Sequence, residues 1–233
     1  MSLERNFNKR LNEVSFYLRG LSDLEKRVGA PGRGFYRSTA TLAASRAAAF
    51  IMIYNCVEFA IREAVVDLRT HIKSARPSFE LITSYWQDEI VRAHFRKKLY
   101  EGTNHISLLE EFRKFVPGRL DWPGLDGIEK LPFAGNIDHQ RLIKFAQDIG
   151  ARGWRPPAKS LGGADLVLVK DARNDLAHGD ETFENIGANY SVKDIADKLR
   201  RIRLFVSSFI RMMERYKAMN SFMQPRRIPA IAE

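Results

Sequence analysis

An all-α helical bundle is predicted by three features of this 233-residue sequence. Apolar residues recur at three- and four-residue steps through most of its length, the mark of amphipathic helices with one buried face. Residues that start or stop helices, among them Asn136, Gly150, Gly179 and the Ser191/Asp194 pair, stand at the ends of those periodic runs. A hydrophobic content of 45% suffices for one sizeable core, and no shift of composition marks a second domain. Residues 1–233 are therefore expected to form one domain with long core helices, a core over about 38–222, a loop-rich insertion over about 117–135 and a flexible tail over about 224–233.

The first helix is expected over residues 3–26, where Leu3, Phe7, Leu11, Val14, Leu18, Leu21 and Leu24 form one stripe and charge fills the other face. The run Gly29-Ala30-Pro31-Gly32-Arg33-Gly34 breaks the pattern. It reads as an interhelical turn or as a basic link touching phosphates, but it lacks the spacing and Lys-Ser/Thr ending of a phosphate-cradling loop. A long core helix follows from Ser38 or Thr39 to about Lys73, with Leu42, Phe50, Ile53, Val57, Ile61, Val65 and Leu68 buried. Residues 79–115 hold one or two further helices, Pro77 marking the start.

Residues 117–132 are rich in Gly and Pro and are expected to be exposed. A short helix begins at Gly135-Asn136, with Asn136 as its cap, and stops at Gly150. The helix over 163–177 buries Leu166, Val169, Ala172 and Leu176, with Gly179 as its left-handed terminator. A loop is expected over 179–189 before a last long helix that opens with a Ser191/Asp194 capping box. That helix carries Ile195, Leu199, Ile202, Phe205, Phe209 and Met213 on its apolar face, and Lys198, Arg200, Arg201, Arg203 and Arg211 elsewhere. Its basic surface reads as an ordinary exterior, a dimer seam or an RNA-facing ridge.

A net charge of +10 favours a polyanionic partner, RNA, DNA or an anionic membrane surface, through counterion release. The most apolar run, residues 47–57, falls short of the roughly 20 residues a membrane span requires, and no signal-peptide apolar region opens the chain. A soluble protein of the cytoplasm is expected. The single Cys56 excludes an internal disulfide and lies in an apolar helical run, as a core residue rather than a nucleophile. The histidines show no ligand spacing, so neither metal nor cofactor is expected.

The chemistry concentrates at Arg173-Asn174-Asp175-Leu176-Ala177-His178-Gly179. A permanent cation stands five residues before an imidazole, a group that accepts and donates protons near neutrality. Five residues of helix turn the chain roughly 140° past a full revolution, so Arg173 and His178 cannot share one narrow face. Asn174 and His178, at i, i+4, can, and the Asn amide is expected to hold one ring nitrogen. Arg173 reaches a common phosphate from the flank, or a second copy of the helix completes the site.

Elsewhere, Glu58 in the long helix reads either as the partner that receives Arg173, with Asn55 nearby, or as a salt bridge to Arg62 one turn on. Arg96, Lys97 and Lys98 form a basic cluster that reads as a strand-tracking surface or a solvated helical face. Arg152, Trp154 and Arg155 join two guanidinium groups to an indole; the ring could stack a splayed RNA base or cover the core.

Arginine is abundant and the chain has five histidines, so the bare Arg-x4-His spacing carries little weight. Its surroundings carry more. Arg173 to Gly179 resembles the Arg-x4-His motif of the "higher eukaryotes and prokaryotes nucleotide-binding" (HEPN) superfamily, many members of which are metal-independent RNases. Tyr54-Asn55-Cys56-Val57-Glu58, Gly135-Asn136-Ile137-Asp138, Phe183-Glu184 and Tyr190-Ser191 resemble further blocks of the MAE-type HEPN-like nucleases of prokaryotic conflict systems, over about residues 40–210. The resemblance implies a HEPN-like bundle and a metal-independent endoribonuclease with Arg173, Asn174 and His178 as catalytic residues. It also implies a homodimer with a composite cleft, a toxin or defence setting, and an antitoxin or companion protein that restrains it. The rival reading is a non-cleaving HEPN-like module that binds nucleotides, nucleic acid or a partner protein; a third makes Arg173 and His178 ordinary helix-end residues.

Overall fold

The computed structural model describes residues 2–28, 35–100, 136–151 and 153–224. The glycine-rich link 29–34, the expected insertion, Gly135, Arg152 and residues 225–233 lie outside the described residues, as do the side chains of Arg96, Lys97 and Lys98. Among the described residues there are seven α-helices and no strand, only an isolated antiparallel bridge between Ile82 and Met223.

Helix α2, Phe35–Ala75, is the axis of the fold. It contains no Gly or Pro, and its 41 residues span roughly 60 Å at 1.5 Å per residue. Arg76 in left-handed backbone, then Pro77, ends it. The expected stripe from Leu42 to Leu68 is buried, and Cys56 is buried beside it.

Helix α1, Leu3–Val28, lies antiparallel on α2. The Tyr17 hydroxyl donates to the Ser45 carbonyl at 2.8 Å, and the Arg10 guanidinium sits 3.8 Å from the Phe59 ring centroid. Helix α3, Ser84–Tyr100, inserts Trp86 and Ile90 into the core. Trp86 Nε1 donates to the Tyr216 hydroxyl at 3.0 Å, which donates in turn to the Ile149 carbonyl at 2.9 Å. A polar relay inside the core thus ties α3 to α4, His139–Asp148, and α7, Val192–Ala218.

Helix α5, Asp165–His178, carries the motif and is clamped at its first residue. The buried Asp165 carboxylate accepts from Arg201 Nε at 2.5 Å and Nη2 at 3.1 Å, and Lys198 stands 3.6 Å away. Two of the basic residues of α7 are therefore turned toward a partner within the chain. The two-pronged pairing fixes the start of α5 against α7.

Two expectations are corrected here. Asp138, not Asn136, caps α4, accepting from the Arg141 amide at 2.9 Å. The expected loop 179–189 contains a short helix, α6, Phe183–Ala188, capped by the Thr182 hydroxyl. Its Gly187 lies so close to α2 that a Cβ there would stand 1.7 Å from the Ala43 carbonyl oxygen. Only glycine seats this turn, and a single helical turn built around glycine has too little periodicity to be read in advance. The Ser191/Asp194 capping box of α7 is formed as expected.

Candidate active site

Helix α5 sets Leu166, Val169 and Ala172 into the core, with Leu168 and Leu176 packed partly buried beside them, and carries Lys170, Asp171, Arg173, Asn174, Asp175 and His178 on its remaining faces. It ends where Gly179 turns left-handed at φ 78°, its amide bonded to the Asp175 carbonyl. His178 is thereby the last helical residue, and it is exposed.

Arg173 is half-buried and held on two sides. Its Nη1 donates to Asn174 Oδ1 at 3.1 Å, and its guanidinium lies 5.3 Å from the centroid of the Tyr54 ring on α2. A cation over an aromatic face is attracted by the ring quadrupole, and the contact limits where the guanidinium can travel. Asn174 is held in turn, its Nδ2 donating to Asn136 Oδ1 at 3.3 Å.

Three successive residues before α4 make this arrangement. Asn136 meets Asn174, the buried Ile137 amide donates to the Tyr54 hydroxyl at 3.2 Å, and the Asp138 carboxylate stands 3.6 Å from Lys170, one turn before Asn174 on α5. Burial pushes the Tyr54 hydroxyl above the ordinary tyrosine pKa and the Glu58 charge adds to that push, while the Ile137 amide and the Arg173 and Lys170 charges oppose it. Tyr54 thus stays a neutral acceptor for a buried amide and a face for Arg173.

The sequence-based residues fall into two groups. Arg173 and Asn174 are brought together, and Asn136 and Tyr54, for which capping or no separate role was expected, join them. A tyrosine on an otherwise apolar stripe was the available signal, because a buried phenol has to find a partner for its hydroxyl. His178 stands apart. The expected Asn174–His178 hydrogen bond is not formed, since Asn174 is engaged by Arg173 and Asn136, and no described residue bonds the ring.

Neither reading of Glu58 is realised as an ion pair, because no contact within 4 Å joins it to Arg173 or Arg62; its half-buried carboxylate acts on Tyr54 at longer range. Asn55 is exposed. Trp154 covers the core rather than offering a free face: its Nε1 donates to Ser208 at 2.9 Å and its ring stands edge-on to Phe205 and Phe209. Arg155 is exposed and donates to the Trp154 carbonyl.

The other flank of α5 borders a cleft of about 650 Å³ toward α6, lined by Asp171, Asp175 and Glu181. Those carboxylates make this flank unfavourable for an anion, unlike the Arg173–Asn174 side. Among the described residues no cluster of His, Cys, Asp or Glu could hold a metal ion, and no helix is long and apolar enough to cross a membrane.

The sequence profile described as HEPN_MAE_28990-like HEPN matches residues 1–214, nearly the whole chain. No curated protein and no solved structure matches it.

Proposed function

The chain belongs to the HEPN_MAE_28990-like HEPN family, and on that premise we propose that it is a metal-independent endoribonuclease, a toxin or effector of a prokaryotic defence system. The observation that carries the reading is the state of the motif helix: an arginine held by Tyr54 and by an Asn174 that Asn136 engages, and five residues on an exposed imidazole at the helix end.

In this reaction the ribose 2′-hydroxyl attacks the adjacent phosphorus. His178 takes the hydroxyl proton, and the imidazolium so formed gives a proton to the departing 5′-oxygen, leaving a 2′,3′-cyclic phosphate and a 5′-hydroxyl. The Arg173 guanidinium, permanently charged and planar, stabilises the charge that gathers on the phosphoryl oxygens in the transition state. Asn174 holds that guanidinium rather than the imidazole.

Arg173 and His178 lie roughly 140° apart around the helix. A composite cleft between two copies, each giving one Arg and one His, resolves this, so the active form is a homodimer. A restraining antitoxin or companion protein belongs to the same proposal.

The test is cleavage of a labelled RNA pool in EDTA by wild type and His178→Ala, with the 3′ ends identified. EDTA-resistant cuts that need His178 and leave cyclic phosphates support the proposal. RNA binding by folded wild type without any cutting refutes it in favour of a non-cleaving nucleic-acid-binding module.

A further inference from the structure

Helices α1 and α7 run antiparallel, pinned by Arg203 Nη2 donating to Asn12 Oδ1 at 3.0 Å and by the Arg211–Glu4 ion pair. Between them lies a groove of about 520 Å³ with Leu18, Val192, Ala196 and Leu199 in its lining. Four cations line it: Lys193, Arg19, Arg200 and Arg203. On α7 the run from Lys193 to Arg203 covers about 15 Å at 1.5 Å per residue, and Arg19 projects from the facing helix.

The charge is unbalanced. Among the described residues the one carboxylate in the lining, Glu25, is engaged by Arg46, and Arg200 pairs with Asp197 at 3.0 Å in an exposed contact of little strength. Lys193, Arg19 and Arg203 have no carboxylate within 4 Å among the described residues. This contrasts with Lys198 and Arg201 of the same helix, which Asp165 engages. Burial without a counter-charge also pulls the Arg203 pKa down. Beside the groove Phe16 is 66% exposed, and the Arg19 guanidinium lies 4.2 Å from its ring centroid. An exposed aromatic ring joined through Arg19 to a groove lined by cations matches the combination that holds single strands: a basic track for phosphates and a π-face for a base.

We propose that the α1/α7 groove binds single-stranded RNA, its backbone following Lys193, Arg19, Arg200 and Arg203 and one base stacking on Phe16. RNA as the ligand rests on the function proposed above, but the site is separate from the motif helix. The aromatic ring selects RNA over an acidic protein or an anionic lipid surface, which would use the cations alone.

The experiment is fluorescence anisotropy of full-length protein with a labelled single-stranded RNA of about 16 nucleotides, the upper end of common single-strand site sizes, in a His178→Ala background that blocks cleavage. The triple variant Arg19→Gln, Lys193→Gln, Arg203→Gln is expected to bind at least about tenfold more weakly. Its salt slope should fall by about 2, from roughly 0.7 per phosphate contact. Arg203 is partly buried, so Lys193→Glu and Phe16→Ala, both at exposed positions, serve as second variants, each weakening binding several-fold with an unchanged melting temperature. Undiminished RNA binding by these variants overturns the groove, whether or not wild type cleaves RNA. Binding to polyglutamate or to phosphatidylserine vesicles that the variants lose while keeping RNA overturns it as well. Groove-dependent binding by a protein whose wild type cuts nothing upholds the groove and removes the nuclease reading.

Discussion

Arg173 and His178 stand five residues apart on one helix, yet the chain treats them differently. Arg173 is half-buried against Tyr54 and hydrogen-bonded to an Asn174 that Asn136 holds from another segment, while His178 sits exposed at the helix end with no described residue bonding its ring. In the proposed reaction the stabilising charge is organised in advance by the fold, whereas the proton-transfer group is left for another surface to position. Preorganisation is most useful for a group that must face developing charge without rearranging. A free imidazole at a helix end is what a site completed by a second copy requires.

The largest effect that sharpens this contrast is His178→Ala. It is expected to lower RNA cleavage by about 10²–10⁴-fold, the range of general acid–base catalysis, with little change in melting temperature because the exposed ring has no hydrogen bond to a described residue to lose. An equal loss of stability would break the contrast. Arg173→Ala should lower cleavage by about 10²–10³-fold and, unlike the histidine change, also lower stability, which a denaturant midpoint will report.

Tyr54→Phe comes next. It removes the acceptor of the buried Ile137 amide and should destabilise the fold by about 1–3 kcal/mol, the cost of an unsatisfied buried donor, while slowing cleavage only through the loosened Arg173. Asn136→Ala should cost about 1 kcal/mol or less in stability, since its bond to Asn174 is long and solvent-exposed, and should lower kcat several-fold with KM little changed.

The smallest effect concerns pH. Burial holds the Tyr54 and Tyr216 hydroxyls above the ordinary tyrosine range. Their folded pKa values exceed the unfolded ones, so the stability they contribute is complete below about pH 10 and declines as pH rises through the folded values. Denaturant midpoints measured across alkaline pH should fall less steeply for Tyr54→Phe than for wild type. Cys56, its thiol pushed up to about 11 by burial, should resist alkylation near neutrality in the folded protein and react on unfolding.

The long helices were legible because periodicity survives over many turns: α1 and α2 bury the stripes that spacing picked out, from Phe7 to Leu21 and from Leu42 to Leu68. The capping box of α7 was equally local and was read correctly. What could not be read is what tertiary contact decides. Asn136 and Asp138 are both good caps, and only the position of α5 across the fold leaves the cap to Asp138 and gives Asn136 to Asn174. Glu58 has a plausible cation one turn away and another across the fold, yet neither closes to an ion pair, and Arg173 instead meets the Tyr54 ring. Helix α6 went unseen because its one turn rests on a glycine pressed to Ala43.

The most direct test of a fixed arginine and an imidazole completed in trans is to mix two impaired variants, Arg173→Ala and His178→Ala, and follow RNA cleavage in EDTA. With each copy giving one Arg and one His, mixed dimers retain one of each, and the mixture should cut RNA well above the level of either variant alone. Mixed dimers that form, as differently tagged subunits will report, but stay inactive would contradict the composite site, as would a stable monomer with full wild-type activity.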